Sequence, residues 1–171
     1  MTEQPSPAPA HETLSGQEPR ERIFLVVVDE TEEMKNALRF ATRRALHTGG
    51  RVALFYALEP PEFQHWLGVE RMMQDEAREQ AEQTLQDLAA KVQADTGKMP
   101  VLFLREGRRR EQLMALIDEE PSISLLVLGM ASGREGPGPL VSYLLSQGQP
   151  IRLPVTLVPG QLSEPEIDAL T

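Results

Sequence analysis

The chain has 171 residues, a formal net charge of −9 and no cysteine. That length predicts one domain, since domains commonly run to roughly 100–200 residues. The missing cysteines exclude disulfide frameworks, thiolate metal sites and thiol catalysis, and the acidic balance opposes general nucleic-acid binding. Hydrophobic residues at 40% supply a core, and 25% charged residues match an ordinary water-exposed protein. No run approaches the ~18 consecutive apolar residues of a membrane span. The first residues lack the basic start and apolar run of a secretory signal, so a cytoplasmic setting is expected.

Residues 1–21 carry Pro5, Pro7, Pro9 and Pro19 among polar and acidic residues without an apolar period. Such a segment is expected to be a disordered tail, because it cannot bury enough surface to offset its ordering entropy. Order is predicted from Ile23, where six apolar residues through Val28 read as a strand buried on both faces. Asp29-Glu30-Thr31 ends it, with Thr31 a helix N-cap and Met34, Leu38, Ala41 and Leu46 an inward stripe. Gly49-Gly50 stops that helix, and Val52 to Leu58 forms a second strand closed by Pro60-Pro61.

A long helix is expected from about Gln64 to Ala94. Met72, Met73, Ala77, Ala81, Leu85, Leu88 and Val92 recur in it at three- and four-residue steps and read as a core face. A third strand at Pro100–Leu104 and a short helix at Arg109–Glu119 follow, with Leu113, Leu116 and Ile117 inward. The fourth strand spans Ile123–Leu128 and runs into the glycine-rich loop Gly129–Gly138. A helix from about Leu140 to Gln147 leads to a fifth strand at Pro154–Val158. Ser163-Glu164-Pro165-Glu166 has the spacing of a capping box. The expected organisation is a tail at 1–21, one domain at 22–160, and a C-terminal tail or short helix at 161–171.

Strands alternating with helices imply a single open five-stranded parallel sheet with helices on both faces and right-handed crossovers. Ligands of such sheets sit outside the carboxyl ends of the strands, where strand order reverses. In the order 3-2-1-4-5 that crevice lies between strands one and four, where Asp29 and the Gly129–Gly138 loop converge. Two readings of the loop stay open: a backbone cradle for a ligand, or a tight strand-to-helix connection. Pro137 and Pro139 have no N–H to donate, Glu135 opposes a phosphate, and no GxxxxGK[ST] run is present. The loop therefore suits adenine and ribose better than a triphosphate.

These residues resemble the universal stress protein family. The likeness rests on the Ile23–Asp29 strand ending in acid, the Val52–Leu58 strand, Leu126-Val127-Leu128-Gly129, and Leu153-Pro154-Val155-Thr156-Leu157-Val158. It covers about Arg22 to Pro159 and implies an adenine-nucleotide-alpha-hydrolase-like fold. In ATP-binding members the pattern is G-x-x-G, nine residues, then G-[ST]. Gly129 matches the first glycine, Gly133 falls one residue late, and Ser142 follows Val141 instead of glycine. The resemblance places Asp29 at the acidic position near the nucleotide and Ala57 at the strand-two position lining the adenine. Ser132, Gly133, Arg134 and Ser142 complete the candidate ligand set. ATP or AMP is the ligand this implies, and nucleotide-free dimers are the alternative for members lacking the motif.

The resemblance also implies a homodimer through the last strand, Pro154 to Val158, unless the segment 160–171 covers that edge within one chain. His11, His47 and His65 have no Ser-His-Asp, metal-ligand or two-carboxylate pattern around them, so no catalytic or metal residue is expected. Asp29 could hold Mg²⁺ beside a bound nucleotide, or cap the next helix. Arg105, Arg108, Arg109 and Arg110, broken by Glu106, read as a solvated loop and helix start. The expected function is regulatory: sensing adenine nucleotide in the crevice, or acting as a nucleotide-independent dimeric adaptor through protein contacts. Nucleic acid and membrane are not expected partners.

Overall fold

A computed structural model describes residues 21–60, 67–133, 136–146 and 151–171. Five strands and five helices alternate as β1 Ile23–Val27, α1 Glu32–Thr48, β2 Arg51–Leu58, α2 Leu67–Thr96, β3 Val101–Glu106, α3 Arg109–Glu119, β4 Ile123–Met130, α4 Pro139–Ser146, β5 Val155–Pro159 and α5 Glu164–Ala169. The sheet order is β3-β2-β1-β4-β5 and every pairing is parallel. This is the order the resemblance implies.

The period of two along each strand divides the core. Phe24, Val26, Val28, Leu54, Val127 and Val158 pack with Met34, Ala37, Ala41, Leu85 and Val92 of α1 and α2. The alternate residues Leu25, Val27, Phe55, Ala57, Leu126 and Leu128 pack with Leu113, Leu116 and Ile117 of α3 and Val141 of α4. Strands covered on both faces need apolar residues at every position, which is why β1 and β4 read as continuous runs. Each large side chain so buried contributes about 1.5–3 kcal/mol.

Several boundaries and burials differ from expectation. Residues 1–20 of the tail expected at 1–21 lie outside the described residues, but Glu21 belongs to the folded part. Its carboxylate holds Lys98 at 2.8 Å and Arg51 at 3.1 Å, and these cations keep its pKa below the usual glutamate value. β4 continues through Gly129 and Met130, because Val158 and Pro159 pair with them. β5 is displaced by one residue from the expected span, although the Pro154 carbonyl still accepts from Leu126 N–H. Leu46 is largely exposed. The start of the long helix at Gln64 lies outside the described residues.

The most consequential correction lies on α2. Ala81, Leu85, Ala89 and Val92 are buried, but Met72 and Met73 are 62% and 58% exposed, and every residue from 72 to 80 is exposed. A helix of 30 residues is about 45 Å long, well beyond the reach of strands of five to eight residues. Its first half therefore extends past the sheet, and the methionine part of the stripe has no core to join.

The C-terminal segment forms the short helix that the capping box predicts, with Ser163 and Glu166 bonded reciprocally. It docks on α1. Arg39 holds Asp168 at 2.8 Å and Glu164 at 3.0 Å, Ile167 is fully buried, and Asn36 Nδ2 donates to the carbonyls of Pro159, Gly160 and Leu162.

Candidate functional site: the crevice between β1 and β4

The chain leaves β1 toward β2 and leaves β4 toward β5, so the crevice opens above these two strands. Val27, Asp29, Thr31, Glu33, Met34, Arg109, Gly129 and the turn Pro137–Val141 line it, and its free volume is about 90 Å³. Ligand pockets commonly offer roughly 300–1,000 Å³.

Asp29 is occupied from within. One carboxylate oxygen accepts from Thr31 N–H at 3.0 Å and Thr31 Oγ1 at 2.6 Å, which sets the entry of α1. The other oxygen faces Arg109 Nη1 at 3.9 Å. Thr31 stands at the N-cap as expected, but its own side chain makes no cap bond. Asp29 instead fixes the N-cap residue itself, through its backbone N–H and its hydroxyl.

Arg109 departs from its reading as part of a solvated basic run. It opens α3, where its backbone N–H donates to Glu59 Oε1 at 2.8 Å, and its side chain turns over the strand ends toward Asp29. Its Nε is buried with no hydrogen-bond partner among the described residues. The other arginines of the run disperse: Arg105 pairs with Glu119, Arg108 with Glu111, and Arg110 stacks over the Tyr143 ring at 4.7 Å. Arg105 accordingly holds the Glu119 carboxyl below its ordinary pKa.

Gly129 lines the crevice for a reason other than ligand approach. A Cβ there would lie 2.4 Å from the Glu33 carbonyl oxygen, so the missing side chain is what lets α1 cross β4. The backbone freedom of glycine is used at Gly136 and Gly138, with φ of 93° and 99°. Across this turn Ala131 N–H reaches the Pro137 carbonyl at 3.4 Å.

Of the predicted residues, then, the fold brings Asp29 and Gly129 to the crevice. Ala57 is buried in the core shared with α3 and does not line the cavity. Ser132, Gly133 and Ser142 are exposed and also stand outside the lining, and Arg134 lies outside the described residues. Arg109 and Glu33 were missed because both face the crevice only through strand order. Among the described residues no group of three His, Asp or Glu side chains is placed to hold a metal, and no helix is long and apolar enough to cross a membrane.

β5 forms one edge of the sheet. Pro154 O and Gly160 N–H both face β4, so by alternation Val155 and Leu157 direct their backbone groups outward, while the Pro159 carbonyl accepts from Asn36 Nδ2 and Leu162 N–H. Val155 is 36% exposed. Among the described residues, no hydrogen bond joins α5 to Val155 or Leu157, and the ion pairs of the C-terminal segment run to α1.

Comparison with known proteins agrees with this architecture. The model of the universal stress protein family matches residues 21–142. The chain belongs to that family. Its fold is similar to universal stress protein UspA from Lactobacillus plantarum, at 19% identity and TM-score 0.68 over 82% of this chain and 99% of that one. A universal stress family protein from Burkholderia pseudomallei is similar at 22% identity and TM-score 0.64, covering 84% and 99%. A universal stress protein in complex with cAMP shows 17% identity and TM-score 0.56, covering 81% and 97%. No curated protein matches the sequence.

Proposed function

We propose that this universal stress protein is a cytoplasmic, non-catalytic regulatory factor that acts as a homodimer through protein contacts, with its crevice closed to ATP and AMP by its own side chains. The observation that carries this reading is the Asp29–Arg109 pair within a free volume of about 90 Å³. Two further features support it. Gly129 serves helix packing, and Pro137 and Pro139 bring no N–H to the loop. The outward edge of β5 is the surface for pairing with a second copy, since an uncovered apolar edge is normally paired or blocked.

The competing reading is an adenine-nucleotide sensor, favoured by the relative that binds cAMP. Calorimetric titration of nucleotide-stripped protein with ATP, AMP and cAMP in Mg²⁺ separates the two. The expected result is no binding heat at millimolar ligand, from a folded sample whose light-scattering mass is twice 19.1 kDa. Micromolar binding would replace this reading with the sensor. A monomeric mass would remove the dimer.

A further inference from the structure

The outward face of α1 carries the cations that α5 covers. Met34, Ala37, Ala41 and Ala45 turn into the core, while Asn36, Arg39, Arg43 and His47 recur at three- and four-residue steps on the opposite side. Arg44 stands next to them in the chain. This is a concentrated basic stripe in a chain of net charge −9. Among the described residues, the partners of its arginines come from α5 and the chain end. Arg39 pairs with Glu164 and Asp168, Arg43 faces Asp168, and Arg44 donates to the Thr171 carbonyl at 3.4 Å.

α5 matches the stripe through its own spacing. Glu164, Ile167 and Asp168 stand at i, i+3 and i+4, one face of a helix, with two carboxylates around a fully buried isoleucine. The attachment is nevertheless light. Six residues are too few to be helical alone, Ile167 is the one buried side chain of α5, and its ion pairs are partly exposed. Ile167 belongs to neither of the two layers of the core, so α5 is able to leave without unpacking the sheet. It also lies beyond the residues that the family model matches.

We infer that the outward face of α1 is a docking surface for an acidic helical segment of a partner protein, and that α5 occupies it as a built-in competitor. The partner segment carries two carboxylates one turn apart around an apolar residue, because α5 shows that this spacing fits Arg39, Arg43 and the seat of Ile167. A nucleic acid or lipid headgroup would meet the arginines and leave the apolar seat empty. The mode is a helix on a helix, with affinity from the apolar anchor and orientation from charge. The inference rests on the reading of the protein as one acting through contacts, and it fails separately, because the dimer mass and the nucleotide titration do not depend on α5.

The test uses the full chain and a dye-labelled peptide that repeats the Glu-x-x-Ile-Asp spacing over about three helical turns, read by fluorescence anisotropy at ~0.15 M salt. Ile167→Lys sets a cation among the arginines and dislodges α5, and Asp168→Lys is a second, milder variant of the same kind. Each should bind the peptide about tenfold more tightly than the unaltered chain, because the competitor in cis is gone. Arg39→Glu added to either variant should weaken binding about tenfold, as should Lys in place of the peptide's carboxylates. Saturating peptide should also speed amide exchange in α5 of the unaltered chain and leave the sheet unchanged. Circular dichroism checks that each variant folds. Equal affinity with α5 docked or dislodged, indifference to Arg39→Glu, or no binding would overturn the proposal. So would α5 amides that exchange only together with the sheet, or a single-stranded oligonucleotide of equal charge that binds more tightly than the peptide.

Discussion

The two cavities at the carboxyl end of the sheet differ in what the chain does with them. Above β1 and β4, where the topology places the ligand crevice, Thr31 occupies one oxygen of Asp29, Arg109 faces the other at 3.9 Å, and about 90 Å³ stays free. Above β2 and β3, about 490 Å³ is bounded by methionine, leucine and two carboxylates with an oxygen to spare. Strand order decides where a crevice lies, and individual side chains decide whether it is available.

The largest effect should come from Gly129→Val. A side chain there meets the Glu33 backbone at 2.4 Å, and overpacking of this kind costs about 3 kcal/mol or more, so a marked loss in urea midpoint is expected. Loss of ligand binding in this variant would therefore report on folding, not on a nucleotide contact. Retained stability would show that α1 can move aside, and would reopen the crevice as a flexible site.

Arg109→Ala sharpens the comparison from the other side. Removing the guanidinium should enlarge the crevice and raise AMP affinity at least about tenfold in calorimetry. Stability should change by no more than about 1 kcal/mol, because the pair with Asp29 is long and partly exposed. AMP affinity unchanged in this variant would mean that something other than Arg109 closes the crevice.

The smallest effect is a pH dependence confined to the C-terminal helix. Hydrogen bonding to Arg39 holds the Asp168 carboxyl below its ordinary value, and the Ser163 hydroxyl and N–H do the same for Glu166. Carboxylates depressed in the folded state add stability above their unfolded values, and that contribution is lost as pH falls through the folded ones. Protection of the α5 amides, taken relative to their intrinsic exchange rates, should therefore fall as pH drops below about 4 while the sheet stays protected. Asp168→Asn should lower that protection at neutral pH and flatten its pH dependence. A uniform loss of protection in sheet and α5 would point to global acid unfolding.

Most of the fold could be read from residues, for identifiable reasons. Apolar runs at Ile23–Val28 and Ile123–Leu128 mark strands covered on both sides, and glycine or proline closes each neighbouring helix or strand. α3 emerged with its expected ends, and Ser163 with Glu166 marked α5. The site was legible only in part. Asp29 and Gly129 could be placed in the crevice because each ends or lies within a strand adjoining it. Ala57 could not, since the period of two turned it into the core beneath α3. The stripe of α2 misled at Met72 and Met73 because helical period tells which residues share a face, not how far the opposing surface extends.

The sequence by itself determined the element order, the parallel sheet and the absence of thiol chemistry, since these follow from local periodicity, turn residues and composition, and the family followed from the resemblance of its strand-end motifs. Only the tertiary structure decided that Arg109 lies against Asp29, that Gly129 admits α1, and that half of α2 stands clear of the sheet. Each of these depends on distances between residues far apart in the chain, which chain packing sets and local pattern does not record.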